Sequence, residues 1–288
     1  MKKSKLAKVL TVSLAALMVF GLASCGGGSG KVSDKDITVI SREEGSGTRD
    51  AFTELTGVLQ DDVDKTVDTA EISNSTSVVT QSVAGNDAAI GYISLGSLDD
   101  TVKAVKVDGV EATVDNIKSG DYKIQRPFNI VTKGEVKELP ADFIKFIMSK
   151  DGQKIIEDEG YISVNDNAEA YKASGLKGSI TLAGSTSVSP VMEVLADKYK
   201  ELNSGVTIEI QQTGSGAGIQ STTEGVCDIG MASRELKDEE TRQGLKSEEI
   251  ALDGIAVIVN KDNGVEDLSK DQIMKIFTGE ITNWADVK

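Results

Sequence analysis

Apolar segments of two kinds alternate along this chain. Short, mostly apolar runs such as Ile37–Ser41 and Ser179–Ala183 are followed by stretches with the amphipathic period of a helix, such as Arg49–Leu55 and Val191–Leu202. Alternating strands and helices are typical of a sheet with helices on both faces. The pattern predicts an α/β fold, and its restart after the polar connector Val164–Gly178 divides the chain into two parts. A length of 288 residues is enough for two lobes.

The two patterns predict nearly all of the elements. The predicted strands are Ile37–Ser41, Ala88–Ile93, Val102–Val107, Val110–Val114, Phe128–Thr132, Ser179–Ala183, Val206–Gln211, Cys227–Ala232 and Ile255–Asn260. The predicted helices are Arg49–Leu55, Val78–Ala84, Asp115–Ser119, Leu139–Met148, Asp151–Glu159, Val191–Leu202, Ile219–Glu224 and Ser269–Thr278. The acidic stretch Val58–Ala70 is weakly patterned, which predicts a surface turn or a short helix.

Three predicted strand-to-helix junctions are rich in glycine and hydroxyl side chains: Gly45–Thr48, Gly184–Ser189 and Gly214–Gly218. The first N–H groups of a helix lack intrahelical partners and the helix dipole is positive there, so such junctions suit a bound oxyanion. Arg42 adds a forked cation ahead of the first junction. Each junction alone also fits an ordinary capped helix with a flexible glycine. Three of them, at strand ends where α/β proteins bind ligands, favour an anion site.

The amino-acid composition argues against several functions other than anion binding. The net charge of −15 argues against nucleic acid as a partner, and it requires an anion site to act through local dipoles and cations. The absence of histidine excludes Ser-His-Asp and Cys-His catalysis and His-ligated metals. None of the junctions has P-loop or dinucleotide-binding spacing, so ATP and NAD are not expected. We therefore expect no catalytic residues, no metal site and no cofactor.

The first 25 residues have the features of a secretory signal. Four lysines precede an apolar run, Val9–Leu22, that is short for a membrane span. The run ends in Leu22-Ala-Ser-Cys25, which is similar to the lipobox of bacterial lipoproteins, in which the cysteine becomes the lipidated first residue. We expect residues 1–24 to be a signal peptide, Cys25 to be lipidated and residues 25–35 to form a flexible tether. A plain signal with an incidental cysteine is the alternative.

A set of motifs spread over residues 37–288 points to one family. The motifs are Ser41-Arg-Glu-Glu-Gly-Ser-Gly-Thr-Arg49, Ala89-Ile-Gly-Tyr92, Gly152-Gln-Lys with Glu159-Gly-Tyr161, Gly184-Ser-Thr-Ser-Val-Ser-Pro190, Gly214-Ser-Gly-Ala-Gly218, Asp228-Ile-Gly-Met-Ala-Ser-Arg234, Ile250–Val259 and Ile276–Trp284. Together they resemble the phosphate-binding proteins (PstS type) of bacterial phosphate ABC importers. The resemblance implies a two-lobed periplasmic-binding-protein fold (type II) that holds its ligand between the lobes.

The order of the motifs differs from the family's. There the Gly-Ser-Thr-Ser motif follows the signal, whereas here the half with the Arg-Glu-Glu-Gly-Ser-Gly-Thr motif comes first. Joining Lys288 to Lys35 would restore a family-like run, so the chain looks circularly permuted or cut from a tandem array. We therefore expect Asp36 to lie close to Lys288. The expected lobes are a continuous lobe one at residues 127–260 and a split lobe two at residues 36–126 plus 261–288.

The resemblance also implies the ligand residues. Phosphate would be held by Arg42, Ser46, Gly47, Thr48, Thr186, Ser187, Ser215 and Ser233. Glu44 stands where the family has an acidic residue that pairs with the arginine, although a solvated surface charge is the alternative. Ser233-Arg234 stands where well-studied members have an aspartate that accepts the phosphate proton. Arg234 could add positive charge at this place. Without the aspartate, the expectation that phosphate is bound in preference to sulfate rests on the resemblance alone.

The resemblance implies an extracytoplasmic, membrane-anchored lipoprotein that captures inorganic phosphate and delivers it to an ABC permease, without enzymatic activity. One alternative is a surface lipoprotein of structural or signalling role, with an impaired anion site or one altered toward sulfate. A phosphoryl-processing enzyme such as a phosphatase is another, but it would need a nucleophile with a base or a metal site. Saturable phosphate binding without turnover separates the first possibility from the others.

Overall fold

The structure, a computed structural model, describes residues 34–287. The predicted signal peptide, Cys25, most of the predicted tether and Lys288 lie outside the described residues. Within the described part strands and helices alternate, and the predicted α/β layering is confirmed.

The elements of residues 34–287 have the following bounds. The helices are α1 (Gly47–Thr56), α2 (Thr76–Ala84), α3 (Val114–Lys118), α4 (Glu138–Ile147), α5 (Lys150–Asp158), α6 (Ser189–Leu202), α7 (Ser215–Glu224), α8 (Asp238–Arg242) and α9 (Lys270–Phe277). The strands are β1 (Thr38–Arg42), β2 (Leu59–Gln60), β3 (Val63–Asp64), β4 (Glu71–Ser73), β5 (Ala89–Ser94), β6 (Val102–Ala104), β7 (Lys106–Val107), β8 (Gln125–Lys133), β9 (Ile162–Ser163), β10 (Gly178–Gly184), β11 (Val206–Gln212), β12 (Ile229–Ala232), β13 (Leu245–Asn260) and β14 (Asp267–Leu268).

Two segments differ from the sequence prediction. The strand predicted at Val110–Val114 is wrong: Val110 makes a single bridge to Val107, and α3 begins at Val114. The stretch Val58–Ala70 contains the hairpin β2–β3, whose two-residue turn places Asp61 and Asp62 at φ of 51° and 60°, as a type I′ turn requires.

The buried apolar side chains of residues 34–287 form four clusters. Two of them are formed almost entirely by residues 36–124 and 255–287, which we call the split half; Ile162 and the partly buried Leu252 pack in from outside these ranges. The other two are formed by residues 125–254, which we call the continuous half. The strands within each half are buried mainly by aliphatic side chains, so each half has a core of its own.

Each half contains a mixed sheet. In the split half β1 lies between β4 and β5 in parallel, and β13 continues the sheet antiparallel to β5. In the continuous half β10 lies between β11 and β12 in parallel, and β8 and β13 follow antiparallel. The parallel strands β1 and β4 end at Arg42 and Ser73, and β10 ends at Gly184. These carboxyl ends face the boundary between the halves, which is where the predicted anion junctions lie.

Strand β13 runs from one sheet into the other. Its residues Leu245–Gly254 pair with β8, and its residues Ile255–Val259 pair with β5. The change of partner therefore lies at Gly254–Ile255, ahead of the predicted lobe boundary after Asn260. The lobe division itself stays a prediction.

The two ends of the described chain meet in the split half. Asp36 bridges Asn283, the Ile37 amide donates to the Thr282 carbonyl at 2.8 Å, and the Trp284 amide donates to the Lys35 carbonyl at 3.0 Å. The predicted closeness of Asp36 to the C-terminal segment is confirmed as far as the described residues reach.

Carboxylates of α4 and α5 hold the connector between the parts in place, and Asp151 Oδ2 of α5 accepts from the Tyr171 amide at 2.7 Å. Asp142 accepts hydrogen bonds from the hydroxyls of Tyr171, Ser174 and Tyr199 at 2.5, 2.7 and 2.7 Å. Burial would raise the pKa of Asp142, but these donors outweigh it and hold the pKa below its ordinary value. The segment that leads from one half of the sequence pattern to the other is therefore tied to the core of the continuous half.

Candidate functional site

The N-termini of α1, α2, α6 and α7 meet at the boundary between the halves. Local sequence starts each helix there. Ser46 and Ser75 cap α1 and α2 by accepting from the amides of Arg49 and Val78, at 3.4 and 3.3 Å. At α6, Ser185 Oγ accepts from the amides of Ser187 and Val188, the last two residues before the helix, at 3.2 and 3.4 Å. Two of these helices come from each half, so partial positive charge converges from both sides.

Gly184 illustrates why one of these turns needs glycine. Its φ is +145°, and a Cβ at this position would lie 2.1 Å from the carbonyl oxygen of Met231 on the neighbouring strand β12. A larger residue would push β10 and β12 apart exactly where the turn begins to carry hydroxyl groups. The following residue is fixed by its own ladder bond, since the Ser185 amide donates to the Met231 carbonyl at 2.9 Å.

Buried hydroxyl groups from both halves form two hydrogen-bonded groups at these helix ends, and the Ser187 amide joins the groups by donating to Ser185 Oγ. Thr48 shares a hydrogen bond of 2.9 Å with Ser187, and Thr76 lies 3.1 Å from Ser187 and 3.4 Å from Thr186. Thr48 and Thr76 belong to the split half and the others to the continuous half. We call the hydroxyl cluster the set of buried residues Thr48, Thr76, Ser185, Thr186, Ser187, Ser215 and Ser233.

The other side of the hydroxyl cluster is built on Ser233. Its Oγ lies 3.0 Å from that of Ser185 and 3.3 Å from that of Ser215, and its amide donates to Ser215 Oγ at 3.1 Å. Gly47 packs directly against this side, because a Cβ on Gly47 would lie 2.5 Å from Ser215 Oγ and 2.7 Å from Ser233 Oγ. The backbone also crosses the boundary here: the Gly216 amide donates to the Gly45 carbonyl at 2.9 Å.

Arg42 brings a guanidinium to the cluster. It is buried, and its Nη2 donates to Thr186 Oγ1 across the boundary at 3.0 Å. Nε and Nη2 also donate to the two carboxylate oxygens of Glu43, each at 2.8 Å, and Nε reaches the Ser73 carbonyl at 3.3 Å. From below, the Arg42 amide donates to the hydroxyl of buried Tyr92 at 3.3 Å. The fork of Arg42 is therefore fixed in orientation, with one edge toward the cluster.

The chain matches the PBP superfamily domain over residues 28–151 and 169–288. It is 52% identical over 294 residues to "Phosphate-binding protein PstS 2" of Streptococcus agalactiae, which covers 100% of this chain and 99% of that relative. The chain belongs to the PstS family of phosphate-binding proteins.

Two further relatives give the extent of the likeness. A crystal structure of a phosphate-binding protein of a phosphate ABC transporter from Streptococcus pneumoniae superposes with a TM-score of 0.72 and 48% identity, over 88% of this chain and 100% of the other. The PstS protein of Bacillus subtilis is 38% identical over 127 residues, which are 43% of this chain and 42% of that relative. The predicted family and periplasmic-binding-protein fold are confirmed.

Most of the site residues expected from the PstS resemblance lie at one place. Thr48, Thr186, Ser187, Ser215 and Ser233 are all members of the hydroxyl cluster. The other three expected residues contact the cluster or cap the helix beside it: Arg42, Ser46 and Gly47.

Two supporting residues are placed differently from the prediction. Glu44 is exposed to solvent. Arg42 pairs instead with Glu43, the residue before Glu44, whose carboxylate lies against the guanidinium. Arg234 does not supply free charge to the cluster. Its guanidinium is held by Glu240 and Asp50, with N–O distances of 2.8 and 2.9 Å.

Two cluster members were missed by the sequence analysis. Thr76 opens α2 within the hydroxyl-rich run Ser73-Asn-Ser-Thr-Ser77, and Ser185 lies inside the glycine-rich turn before α6. The hydroxyl-rich start of α2 was the available signal for Thr76, but it has no glycine, which set it apart from the other junctions. Ser185 has no comparable signal, because the resemblance assigns ligand binding in this turn to Thr186 and Ser187.

A buried ion pair joins the crossing strands behind the cluster. Arg126 of β8 and Asp253 of β13 are paired residues in the ladder, with N–O distances of 3.1 and 3.2 Å, and Arg126 also donates to the Ser233 carbonyl at 3.3 Å. Burial raises the pKa of Asp253 to about 6, although Arg126 and the Ser94 hydroxyl act against it. The pair links the crossing point to a cluster residue.

Within residues 34–287 no group of three or more Cys, Asp or Glu side chains is arranged to hold a metal ion. No helix in this part of the chain combines the length and apolar character needed to cross a bilayer.

Proposed function

We propose that this chain captures inorganic phosphate at the hydroxyl cluster and delivers it to an ABC permease, without catalysing a reaction. The observation that carries the proposal is the convergence of buried hydroxyls from both halves, a fixed guanidinium and four helix N-termini on one small volume. Helix N-termini and hydroxyl donors are the groups that proteins use for oxyanions. The names of the PstS relatives supply the ligand and the transporter.

The proposed ligand residues are Arg42, Ser46, Gly47, Thr48, Thr186, Ser187, Ser215 and Ser233, to which we add Thr76 and Ser185. A hydrogen bond to a charged group contributes about 1.5–3 kcal/mol net. Micromolar binding corresponds to about 8 kcal/mol, so roughly four such bonds are sufficient before the cost of ordering. The cluster offers more hydroxyls than that, although the chain's net charge of −15 opposes an anion at long range.

We also propose that the two halves are lobes that close on phosphate. In residues 34–287 the chain passes between them twice, just ahead of β8 at residues 124–125 and within β13 at residues 254–255, and the ion pair Arg126–Asp253 lies next to both passages. Hinge motion at Gln125 and Gly254 would separate Thr48 from Ser187 while leaving each core intact. Ligand contacts to both lobes would then favour the closed form.

The permuted order is a further part of the proposal. It is supported by the full-length match to the Streptococcus relative, by the match to the Bacillus relative over less than half of each chain, and by the contact between Asp36 and Asn283. The expected lipoprotein signal and a lipid anchor at Cys25 complete it, and they place the protein at the outer face of the cell membrane. Cys25→Ser should abolish incorporation of a labelled fatty acid into the protein, and labelling that persists in the variant would contradict an anchor at Cys25.

Isothermal titration with phosphate and with sulfate tests the central claim. Wild type should bind phosphate saturably, and Arg42→Ala should weaken binding at least tenfold because the guanidinium contact is lost. Arg242→Ala is the matched control: Arg242 is exposed on α8, away from the cluster, and should leave affinity unchanged. Absence of heat with phosphate in wild type would refute the proposal, and heat with sulfate alone would point to the altered anion site. Release of phosphate from phosphate esters would point to an enzyme.

A further inference from the structure

Arg234 is the centre of a charged group next to the cluster. Its side chain is 8% exposed, and it donates through Nη1 and Nη2 to the two carboxylate oxygens of Glu240, at 2.8 Å each. Glu240 in turn accepts from the Lys237 amide at 2.7 Å. Burial would raise the pKa of Glu240, but the bonds from Arg234 and Lys237 outweigh it and hold that pKa below its ordinary value. All three residues belong to the continuous half, so this arrangement does not depend on the split half.

One further contact of Arg234 crosses the boundary between the halves. Its Nε lies 2.9 Å from Oδ2 of Asp50, which is in the first turn of α1 in the split half, and the Lys237 ammonium lies 3.6 Å from the same oxygen. Both Nε and Oδ2 are buried and lack a well-aligned hydrogen bond, so the contact is mainly electrostatic. The charges of Arg234, Lys237, Glu240 and Asp50 balance.

The crossing contact lies beside the proposed ligand on both sides. Arg234 directly follows Ser233, and Asp50 is on the same helical turn as Thr48. Closure that brings Thr48 to the other half therefore also brings Asp50 to Arg234. When the halves separate, the pair Arg234–Glu240 persists because both partners stay in one half, whereas the contact with Asp50 is lost to solvent.

We propose that Arg234 and Asp50 form a latch that exists only in the closed form and retains the ligand. The inference rests on the proposed function for its ligand. An interaction present in only one of two conformations shifts the equilibrium by its own free energy, so the latch raises apparent affinity without touching phosphate. It acts after closure and thus slows dissociation while leaving association nearly unchanged. Arg234 and Asp50 are accordingly positioning residues.

The test compares Asp50→Asn, Arg234→Gln and the double variant with wild type. Asp50→Asn keeps size and burial but removes the charge, so phosphate affinity should fall about tenfold, as expected for one partly buried charged contact. Stopped-flow measurements with a fluorescent phosphate reporter should assign the change to the dissociation rate, with the association rate within twofold of wild type. The double variant should be no weaker than the weaker single variant, because both remove the same contact.

Asp271→Asn is the matched control, since Asp271 pairs with Lys275 within one exposed helix and spans no boundary. Small-angle scattering without phosphate provides a readout independent of ligand: Asp50→Asn should have a larger radius of gyration than wild type and Asp271→Asn should not. Wild type that binds no phosphate would refute the proposed function, and scattering would still decide on the latch. Unchanged dissociation rates and unchanged radius in Asp50→Asn would overturn the latch.

Discussion

A substitution at Gly47 distinguishes closure of the two halves from folding of each half. It is the first residue of α1 and its φ is not in the left-handed region, so alanine fits the helix without backbone strain. A Cβ there would nevertheless lie 2.5 Å from Ser215 Oγ and 2.7 Å from Ser233 Oγ, both in the opposite half. Gly47→Ala should therefore oppose the approach of the halves without disturbing either core.

The size of the effect follows from these distances. Cβ contacts under 3.0 Å require the neighbours to move, and overpacking of this kind costs about 1–3 kcal/mol. Phosphate affinity should accordingly fall by about 5- to 150-fold. Stability of the ligand-free protein should not fall, because its halves can move apart to relieve the contact and alanine is no worse than glycine in a helix. Affinity is expected to fall while stability stays unchanged or rises.

Titration calorimetry with phosphate and urea unfolding without it measure the two quantities. Gly264→Ala is the matched control, because Gly264 also lacks a positive φ and a Cβ there meets no atom within 4 Å. Wild-type affinity in Gly47→Ala would mean that the halves do not close as described. A large loss of stability in the ligand-free protein would mean that Gly47 packs within a permanently assembled core.

Four other substitutions test individual contacts. Thr76→Val removes a buried hydroxyl at nearly constant volume and should weaken phosphate binding about 3- to 10-fold by calorimetry; no change would remove Thr76 from the site. Glu43→Gln should weaken binding more than Glu44→Gln, because Glu43 holds Arg42 in orientation, and the reverse order would restore the family pairing. For Asp253, the folded pKa of about 6 lies above its ordinary value of 3.8, so its contribution to the free energy of unfolding is full below about pH 4 and is lost as pH rises to about 6. Asp253→Asn should therefore cost more stability at pH 5 than at pH 7 in urea unfolding, and a larger cost at pH 7 would mean that pairing with Arg126 outweighs burial.

Periodicity was sufficient for most of the fold. The apolar run at Ile255–Asn260 and the stripe of Leu139–Met148 have strong patterns, and the structure has a strand and a helix there. The first part of β13, Leu245–Glu249, was not predicted, because its four charged or polar residues after Leu245 are exposed and carry no apolar signal. Its strand character comes from pairing with β8, a long-range interaction that local sequence does not record.

The site residues could be predicted where a helix start coincides with a family motif. They could not be predicted where the direction of a side chain determines whether it reaches the site. Adjacent glutamates at 43 and 44 have the same chemistry, and only the turn after β1 determines which of them reaches Arg42. The role of Arg234 was equally hidden, since its partners Asp50 and Glu240 are distant in sequence or belong to the unpredicted helix α8. Whether an arginine is free to act on a ligand or is neutralised by carboxylates depends on its tertiary contacts and not on its residue type.

The arginines at the boundary share one property that bears on how an anion would be held. Arg42 is matched by Glu43, Arg126 by Asp253, and Arg234 by Asp50 and Glu240. Their positive charges are therefore compensated at a distance, in keeping with an acidic chain, and act on a ligand mainly through oriented N–H groups. The neutral hydroxyl cluster adds groups that can donate to ionised oxygens and also accept from a protonated one. Donating to an anion and accepting from it both require direct contact, so recognition would depend on closure of the halves around the anion rather than on the electric field of the whole protein. The latch at Arg234 and the close approach at Gly47 would then both act on closure, which is the step that selects the ligand.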